Sequence, residues 1–593
     1  MLGNLQIRDI DSVFADFVCS KEIVESDILR KAALYASAAV GVGNICIDLS
    51  DIFGSSDADS VSSLLLSTKS VGIPGDYCPL ILDDSNRLYL YRYWKYETFL
   101  SGKLIEMASD LPIVDTGLLK DGLKRLFPKS DGKPDWQLIA AAAAVRSRFC
   151  IISGGPGTGK TTTVVKILAL LLEQATGNRM RIALAAPTGK AAARLKESIF
   201  KAGTGLTELT AVVEDIPDDV STIQRLLGVI PHSCRYRYNA ENPLPYEAVV
   251  VDEASMIPLA LMSKLVEALA PGTRLILLGD RDQLASVEAG AVLGDICNSG
   301  HGFGFSKKFQ MFIAETTNST VPYNSTGEGG SLLADSVIVL LKNYRFGEGS
   351  GIGTVSRSIN NGNAYLLLDE IKKNTSEGLV ISETPRGEFL QVKLAKSVLA
   401  GFADYLNSEN PDEVLAAFDK FRVLCLLRQG QYGVEEINTL IESSLGTSGI
   451  INPDKLWYHG RPVMVNVNDY ALKLFNGDIG VTLKDPESEI GLSVYFPSVN
   501  GTVRKYSPYR LPQHETVFAM TVHKSQGSEF DKVLMIMPPE INQIMTREVI
   551  YTGVTRARTS VELWCSDEIF YSTCAKTVRR HSGLRQALWG LNP

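Results

Sequence analysis

The sequence predicts an α/β protein of two parallel-sheet lobes, with a small β-barrel inserted in the second and a mostly helical segment ahead of the first. Three observations carry this. Apolar strand-like runs at Phe149–Ile152, Ala248–Val251 and Leu275–Leu278 alternate with helical patterns, the rhythm of a parallel sheet. The same rhythm restarts at Phe421 and runs to Arg558. Between these limits, residues 451–512 switch to short alternating strands (Pro462–Val467, Ile479–Leu483, Leu492–Phe496) and turns such as Asn476-Gly-Asp, as in a small barrel.

A chain of 593 residues is too long for one core. The composition shifts suggest domains at 1–110, 111–350 and 351–593. Hydrophobic content of 45% suits a globular protein, and no apolar run reaches the ~18 residues of a membrane span. Met1–Ile10 lacks the basic-then-apolar pattern of a secretory signal. Nine cysteines without a C-x-x-C pair, and only 6 histidines, argue against zinc and fit reduced thiols. A cytoplasmic location and no membrane contact are expected.

Residues 1–110 read as largely helical, with a strand pair near Cys78–Tyr93. They hold 9 Lys and Arg against 16 Asp and Glu, a net of −7, which leaves about −1 for the other 483 residues. An acidic segment beside a near-neutral remainder is repelled by phosphate and suits a protein partner. Leu88-Tyr-Leu-Tyr-Arg-Tyr-Trp-Lys-Tyr-Glu97 reads either as a stacking platform for bases or as a strand entering a helix with packed aromatics. The surrounding acids favour the second. Ala32–Val40 and Tyr89–Tyr96 carry more apolar surface than a small cap needs, which predicts a docking face.

Asp135-Trp-Gln137 opens an apolar helix, Leu138–Val145. The Gln137 amide offers both a donor and an acceptor, which suits an adenine edge or merely a helix end in solvent. Then comes Ile151-Ile-Ser-Gly154-Gly155-Pro156-Gly157-Thr158-Gly159-Lys160-Thr161-Thr162, a strand, a Gly-rich turn and a helix start. The spacing is that of a P-loop. Its glycines let backbone N–H groups turn inward around phosphate, and the following helix aims its positive end at the same anion. Lys160 reaches the β- and γ-phosphates of ATP and the Thr161 hydroxyl ligates Mg²⁺.

Arg181–Ala186 is a second strand, ending in Pro187-Thr188-Gly189-Lys190 before a helix at Ala191–Phe200. Ala248–Val251 ends in Asp252 and Glu253. A carboxylate there belongs on the same Mg²⁺, which assigns Asp252, and Glu253 is placed to orient or deprotonate water. Leu275–Gly279 ends in Asp280-Arg-Asp-Gln283, so three strands bring polar groups to one sheet edge. His232–Pro245 alternates like a protruding hairpin. Residues 298–333, rich in Gly, Ser, Thr and Asn, read as a loop insertion. Order returns at Val337 and leads to Asn343-Tyr-Arg345-Phe. In the second lobe Val517–Thr521 precedes Val522-His523-Lys524-Ser-Gln526-Gly, Val533–Met537 is a strand, and Ile550–Arg558 reads as one helix. A P-loop in one lobe and Arg556 in the other suggest a cleft that closes over the γ-phosphate.

The ordered set Gly154–Thr161, Ala186-Pro-Thr-Gly-Lys, Val251-Asp-Glu-Ala-Ser-Met, Gly279-Asp-Arg-Asp-Gln-Leu-Ala-Ser-Val, Asn343-Tyr-Arg-Phe, Thr521-Val-His-Lys-Ser-Gln-Gly-Ser-Glu-Phe and Tyr551-Thr-Gly-Val-Thr-Arg-Ala-Arg resembles the motifs of superfamily 1 helicases of the 5′→3′ branch. In wording it is similar to the RecD family, the α subunits of exodeoxyribonuclease V (RecBCD). The likeness spans Asp135 to Arg558. The 298–333 stretch and the short acidic N-terminal segment favour RecD over its stand-alone relatives. Gln224 and Val467 stand where the family usually has His and Arg.

The resemblance implies two RecA-like P-loop motor domains with an inserted SH3-like β-barrel. It implies that Gln137 reads adenine, Gln283 senses the γ-phosphate, and Arg345 and Arg556 are arginine fingers. Pro187, Thr188, Gly189, Thr521 and His523 would lie on single-stranded DNA. The implied activity is ATP-dependent 5′→3′ DNA unwinding, working on DNA ends in a heterotrimer with RecB-like and RecC-like subunits. No nuclease-type carboxylate cluster is apparent, so strand cutting is expected of another subunit. A small-molecule P-loop kinase gives no reason for the second lobe; a stand-alone helicase is the nearer alternative.

Overall fold

The computed structural model describes residues 5–22, 26–127, 134–175, 180–204, 216–217, 219–300, 304–323, 332–346, 351–362, 378–498 and 503–590. The α/β class is borne out. The first lobe is a six-stranded, all-parallel sheet in the order Val337–Val339, Phe149–Ser153, Arg274–Gly279, Ala248–Val251, Ile182–Ala186, Val220–Thr222. The P-loop strand Phe149–Ser153 is buried along its whole length, as expected where helices cover both faces. Helix Trp136–Arg146, apolar on every side, is sandwiched on one face with Lys160–Gln174. Helix Leu259–Glu267 packs on the other face.

The second lobe is a five-stranded parallel sheet in the order Leu379–Ser382, Ala557–Trp564, Phe530–Ile536, Phe421–Cys425, Ala519–Thr521. Between Phe421–Cys425 and Ala519–Thr521 the chain leaves to form a five-stranded antiparallel sheet: Val503–Tyr506, Leu492–Pro497, Ile479–Lys484, Arg461–Val465, His514–Thr516. Its own apolar cluster centres on Val463, Val465, Val494 and Phe496.

The N-terminal residues combine helices Asp9–Cys19, Asp27–Gly41 and Ala58–Leu66 with a small sheet. The expected strand pair is Leu80–Leu82 against Arg87–Leu90, and two short strands that the sequence did not signal, Cys46–Asp48 and Val71–Gly72, flank it. The aromatic run is indeed strand into helix: Tyr91–Ser109 follows directly. The expected docking face, however, is not there. Ala32, Ala33, Ala36, Ala38 and Ala39 are buried within the N-terminal core. Tyr89 is buried, and Tyr91, Tyr93, Trp94 and Tyr96 pack against the same cluster as Leu259–Glu267 of the first lobe. The aromatic surplus meets this chain's own first lobe. The exposed apolar face lies instead on Asp9–Cys19, where Ile10, Val13 and Phe17 point outward at 65%, 66% and 52% exposure.

Three further readings change. Within the stretch taken for a loop insertion, Lys307–Thr317 is a helix capped by Ser306, with Phe309 and Ile313 buried in the first lobe's core. The Gly/Ser/Thr-rich flanks hide this i, i+4 pair, and residues 324–331 lie outside the described residues. His232–Pro245 forms isolated bridges, Tyr236 with Val229, Asn239 with Asn242 and Leu244 with Leu269, and no hairpin of two strands. Ile550–Arg558 is not one helix: Arg547–Val554 ends at the Thr555 cap, and Ala557–Trp564 is a strand. Arg556 sits in the corner between them.

Candidate nucleotide cleft and nucleic-acid cavity

The P-loop leaves the end of Phe149–Ser153 between two neighbouring strands. Gly154 N–H donates to Gly279 O at 3.0 Å, and Leu340 N–H donates to Ser153 O at 2.8 Å. Gly157 and Gly159 hold positive φ, 83° and 80°. A Cβ on Gly157 would lie 2.4 Å from Arg345 Cβ, and one on Gly159 would lie 2.3 Å from Gln137 Nε2. Backbone geometry requires both glycines, and at Gly157 crowding by Arg345 Cβ requires it too. The Thr158 hydroxyl donates to Gly155 O at 2.8 Å, and Pro156 is buried beneath the turn. Lys160 Nζ donates back to Gly154 O at 2.5 Å and Gly155 O at 3.3 Å, so its ammonium lies inside the loop. Thr161 and Thr162 occupy the first turn of Lys160–Gln174, the former half-buried, the latter exposed. Gln137, on a helix capped by Asp135, donates from Nε2 to Thr158 O at 2.9 Å. That bond uses one donor of the amide and places it beside the loop.

Asp252 and Glu253 stand at the end of Ala248–Val251. Burial first, and Glu253 second, push Asp252 up to about 6, while the Lys160 ammonium pulls the other way. Glu253 has φ 53°, a left-handed conformation that a non-glycine residue rarely adopts. It turns the chain sharply off the strand. Its N–H donates to Asp252 Oδ1 at 2.8 Å.

The two lobes meet across this cleft. Arg556, 2% exposed, donates from Nη2 to Gln283 Oε1 at 2.7 Å. Gln283 Nε2 donates to Asp280 Oδ2 at 3.1 Å, and the Tyr551 hydroxyl donates to the same oxygen at 3.0 Å. Tyr551 also lies over Gly155, whose Cβ would be 2.9 Å from its hydroxyl. Arg345, on the segment joining the lobes, donates from Nη2 to Glu529 Oε1 at 2.6 Å. Burial would raise Glu529, but Arg345, then Arg194 and Arg556, outweigh it and hold the carboxyl at about 2. Arg345 Nη1 is buried with no partner among the described residues, a guanidinium donor left over for an anion. Sequence alone gives Glu529 and Tyr551 no role, because the groups they meet, Arg345 and Asp280, lie far off along the chain.

Pro187, Thr188, Gly189, Thr521 and His523 do not join the cleft. They line a separate cavity of about 3150 Å³ that runs between the lobes, the inserted sheet and the N-terminal residues. Ten Lys and Arg against six Asp and Glu line it, a positive excess in a chain of net charge −8. Thr188 caps helix Gly189–Thr204 through Ala191 N–H, 3.2 Å from its Oγ1. Thr521 Oγ1 accepts from Lys524 N–H at 3.1 Å. Lys524 Nζ then reaches Asn466 Oδ1 of the inserted segment at 3.1 Å, and Phe475 of that segment lies over Gly189. Burial, then Arg580, lower the His523 pKa, which favours the neutral ring. The cleft and the cavity adjoin: Gln283 belongs to the first, while the next residue, Leu284, lines the second and accepts from Gln526 Nε2 at 3.1 Å.

Comparison with known proteins matches residues 137–289 to an AAA domain, 516–563 to a UvrD-like helicase C-terminal domain, and 4–65 to the N-terminal domain of RecBCD enzyme subunit RecD. RecBCD enzyme subunit RecD of Haemophilus influenzae is 36% identical over 535 residues, covering 85% of this chain and 80% of that one. The Mycobacterium tuberculosis subunit is 35% identical over 600 residues, covering 99% and 95%. ATP-dependent RecD2 DNA helicase of Deinococcus radiodurans is 30% identical over 413 residues, but only 46% of that longer chain is matched. Among solved structures, Pif1 helicase from Bacteroides with ADP-AlF3 and ssDNA aligns with 74% of the chain at 17% identity, with a TM-score of 0.38 too low to bear on the fold. With identity above 30% across nearly the full length of both sequences, this chain belongs to the RecD family of RecBCD enzyme subunits.

Proposed function

We propose that this chain is the ATP-dependent 5′→3′ DNA translocase and helicase subunit of a RecBCD helicase-nuclease, acting on DNA ends in double-strand break repair and homologous recombination. It works in the cytoplasm with RecB-like and RecC-like subunits. The observation that carries the reading is the adjacency of Gln283, paired with Arg556 across the lobes, to Leu284 on the cavity wall. A change at the phosphate is one residue from the strand path.

In this reading the two parallel sheets are RecA-like motor domains and the inserted sheet is an SH3-like barrel. ATP lies in the P-loop with its adenine at Gln137. Lys160 exchanges its carbonyl contacts for β- and γ-phosphate oxygens. The Thr161 hydroxyl and the Asp252 carboxylate would hold Mg²⁺, which when bound neutralises phosphate charge. Glu253 takes the proton of the attacking water. Gln283 and the Arg345 and Arg556 guanidinium groups stabilise charge developing on the γ-phosphate. Loss of the γ-phosphate removes a charge that groups from both lobes hold, and the cleft loosens. Pro187, Thr188, Gly189, Thr521 and His523 grip the backbone of a single strand in the basic cavity, with little sequence preference. The near-complete match to RecD, against less than half of RecD2, favours the assembled subunit over the stand-alone helicase.

The test is a pair of duplexes with single-stranded overhangs of opposite polarity. Unwinding from the 5′ overhang, with ATP turnover stimulated by single-stranded DNA, is expected. Unwinding only from the 3′ overhang, or turnover indifferent to DNA, refutes the proposal.

A further inference from the structure

After helix Asp567–Ala575 the chain leaves the second lobe and returns to the first. It does so over a few residues. On the second lobe, Arg547 N–H donates to Lys576 O at 2.7 Å, and the Glu548 carboxylate accepts from Val578 N–H at 3.1 and 3.2 Å. Arg547 and Glu548 begin the helix that carries Tyr551 and leads to Arg556. On the first lobe, the Arg580 guanidinium fits a cup of three carbonyls. It donates to Glu288 O at 2.9 Å, to Gly290 O at 2.7 Å and to Ser286 O. That loop begins three residues after Gln283.

Beyond Arg580 the chain is fixed to the N-terminal residues. Ile45 N–H donates to His581 O at 2.8 Å, and His581 N–H donates to Asn44 Oδ1 at 2.9 Å. The buried Glu97 carboxylate accepts from the Ser582 hydroxyl at 2.9 Å and from Gly583 N–H at 3.0 and 3.1 Å. Gly43 lies over the Arg580 guanidinium, where a Cβ would come within 2.9 Å of Cζ.

Only Arg579 stands between the residue held by the second lobe and the residue held by the first. The span between them is at most ~7 Å at full extension. The other crossing between the lobes, Asn343–Phe346, is tied to the P-loop through Asn343 Nδ2 to Pro156 O at 2.7 Å and Tyr344 N–H to Gly157 O at 2.8 Å.

We propose that residues 576–583 are a second hinge between the lobes and that Arg580 is a positioning residue for ATP turnover. Two short crossings define an axis, so opening is a rotation about it rather than a separation. Arg580 holds the loop 286–290, and through it the backbone of Gln283 and Leu284, in register with Arg556. The same residues form part of the cavity wall, so a strand lying there presses on the hinge. The inference rests on the proposed motor function.

The test uses the full chain assembled with its partners. Arg580→Ala, and separately a Gly-Gly insertion between Val578 and Arg579 that keeps every side chain, should each lower DNA-stimulated kcat about tenfold. Affinity for a fluorescent ADP analogue should stay within about twofold, the split expected when transition-state alignment rather than binding is lost. ATP consumed per nucleotide travelled should rise, and Arg580→Lys should fall between wild type and Arg580→Ala. An insertion variant with wild-type kcat and coupling overturns the inference, as does nucleotide affinity falling in step with kcat. Wild-type protein without DNA-stimulated turnover would instead refute the motor assignment itself.

Discussion

Arg556→Ala separates the structural and catalytic work of one guanidinium. In the structure Arg556 donates to Gln283 Oε1, Ser528 O and Thr552 O, all buried, at 2.7, 3.1 and 3.2 Å. Thr552 O keeps a second donor, the Thr555 hydroxyl at 3.2 Å. Truncation therefore strands two acceptors, Gln283 Oε1 and Ser528 O, at ~1–3 kcal/mol each. A lowered Tm is expected, together with easier separation of the lobes. The catalytic loss is larger if the guanidinium meets the γ-phosphate in turnover: ~10³-fold in kcat, or ~4 kcal/mol. Steady-state hydrolysis at saturating single-stranded DNA gives kcat, and binding of a fluorescent nucleotide gives Kd. Both are measured below the variant's own Tm. Arg556→Lys keeps the charge but not the fork, and should recover stability better than rate. A folded Arg556→Ala protein with kcat within tenfold of wild type refutes the assignment. So does a variant that loses nucleotide affinity while keeping its rate.

Lys160→Gln should abolish hydrolysis with a cost to stability of only ~1 kcal/mol, because its two bonds to loop carbonyls are only part-buried; near-normal turnover in the purified variant would overturn the P-loop reading. Replacing Ile10, Val13 and Phe17 together by Ser should abolish co-purification with the RecC-like subunit and leave Tm unchanged, since all three are more than half exposed; full-stoichiometry recovery counts against this face. Asp295 is pushed up to about 7 from 3.8, by burial first and Glu97 second, against the opposing Ser582, Arg585 and Arg580. Between those values the folded chain holds a proton that the unfolded chain has released, so stability should fall as pH rises from 4 to 7, by at most ~4 kcal/mol. Asp295→Asn should flatten that slope in thermal melts. Glu97, also raised by burial, keeps some of it, and an unchanged slope would refute the assignment.

The parts of the fold that were legible are those whose cause is local. Phe149–Ser153 and Ala248–Val251 announce themselves because a strand buried on both faces must be apolar throughout. The phosphate cradle is equally local, since loop, lysine and hydroxyl are contiguous. Arg556 shows where local reading stops. Sequence alone runs its helix too far because Tyr551–Ala557 has no proline, and its one glycine, Gly553, lies inside the helix and not at its end. The helix ends at Val554 because the alternating Arg558–Trp564 run belongs to a central strand of the second sheet. Tyr89–Tyr96 shows a second limit. An apolar surplus is legible, but whether it meets a partner or the chain's own first lobe depends on packing against Leu259–Glu267, far along the chain.

The cleft and the cavity differ in the same way. The polar end of Leu275–Gly279 is legible, but that Leu284 beside Gln283 lines the cavity is known only from the fold. The path that closes the loop is not legible either. Glu529 with Arg345, Lys524 with Asn466, and Arg580 with the carbonyls of 286–290 join residues 184, 58 and about 290 positions apart. A carbonyl carries no sequence signal at all, so a cation serving three of them looks like any surface arginine until the chain is folded. The pairs that hold this motor closed are thus mostly charges meeting backbone or acids from another lobe. Those that a changing γ-phosphate would make and break are Arg556 with Gln283 and Arg345 with Glu529, while Arg580 stays in its cup as the hinge turns.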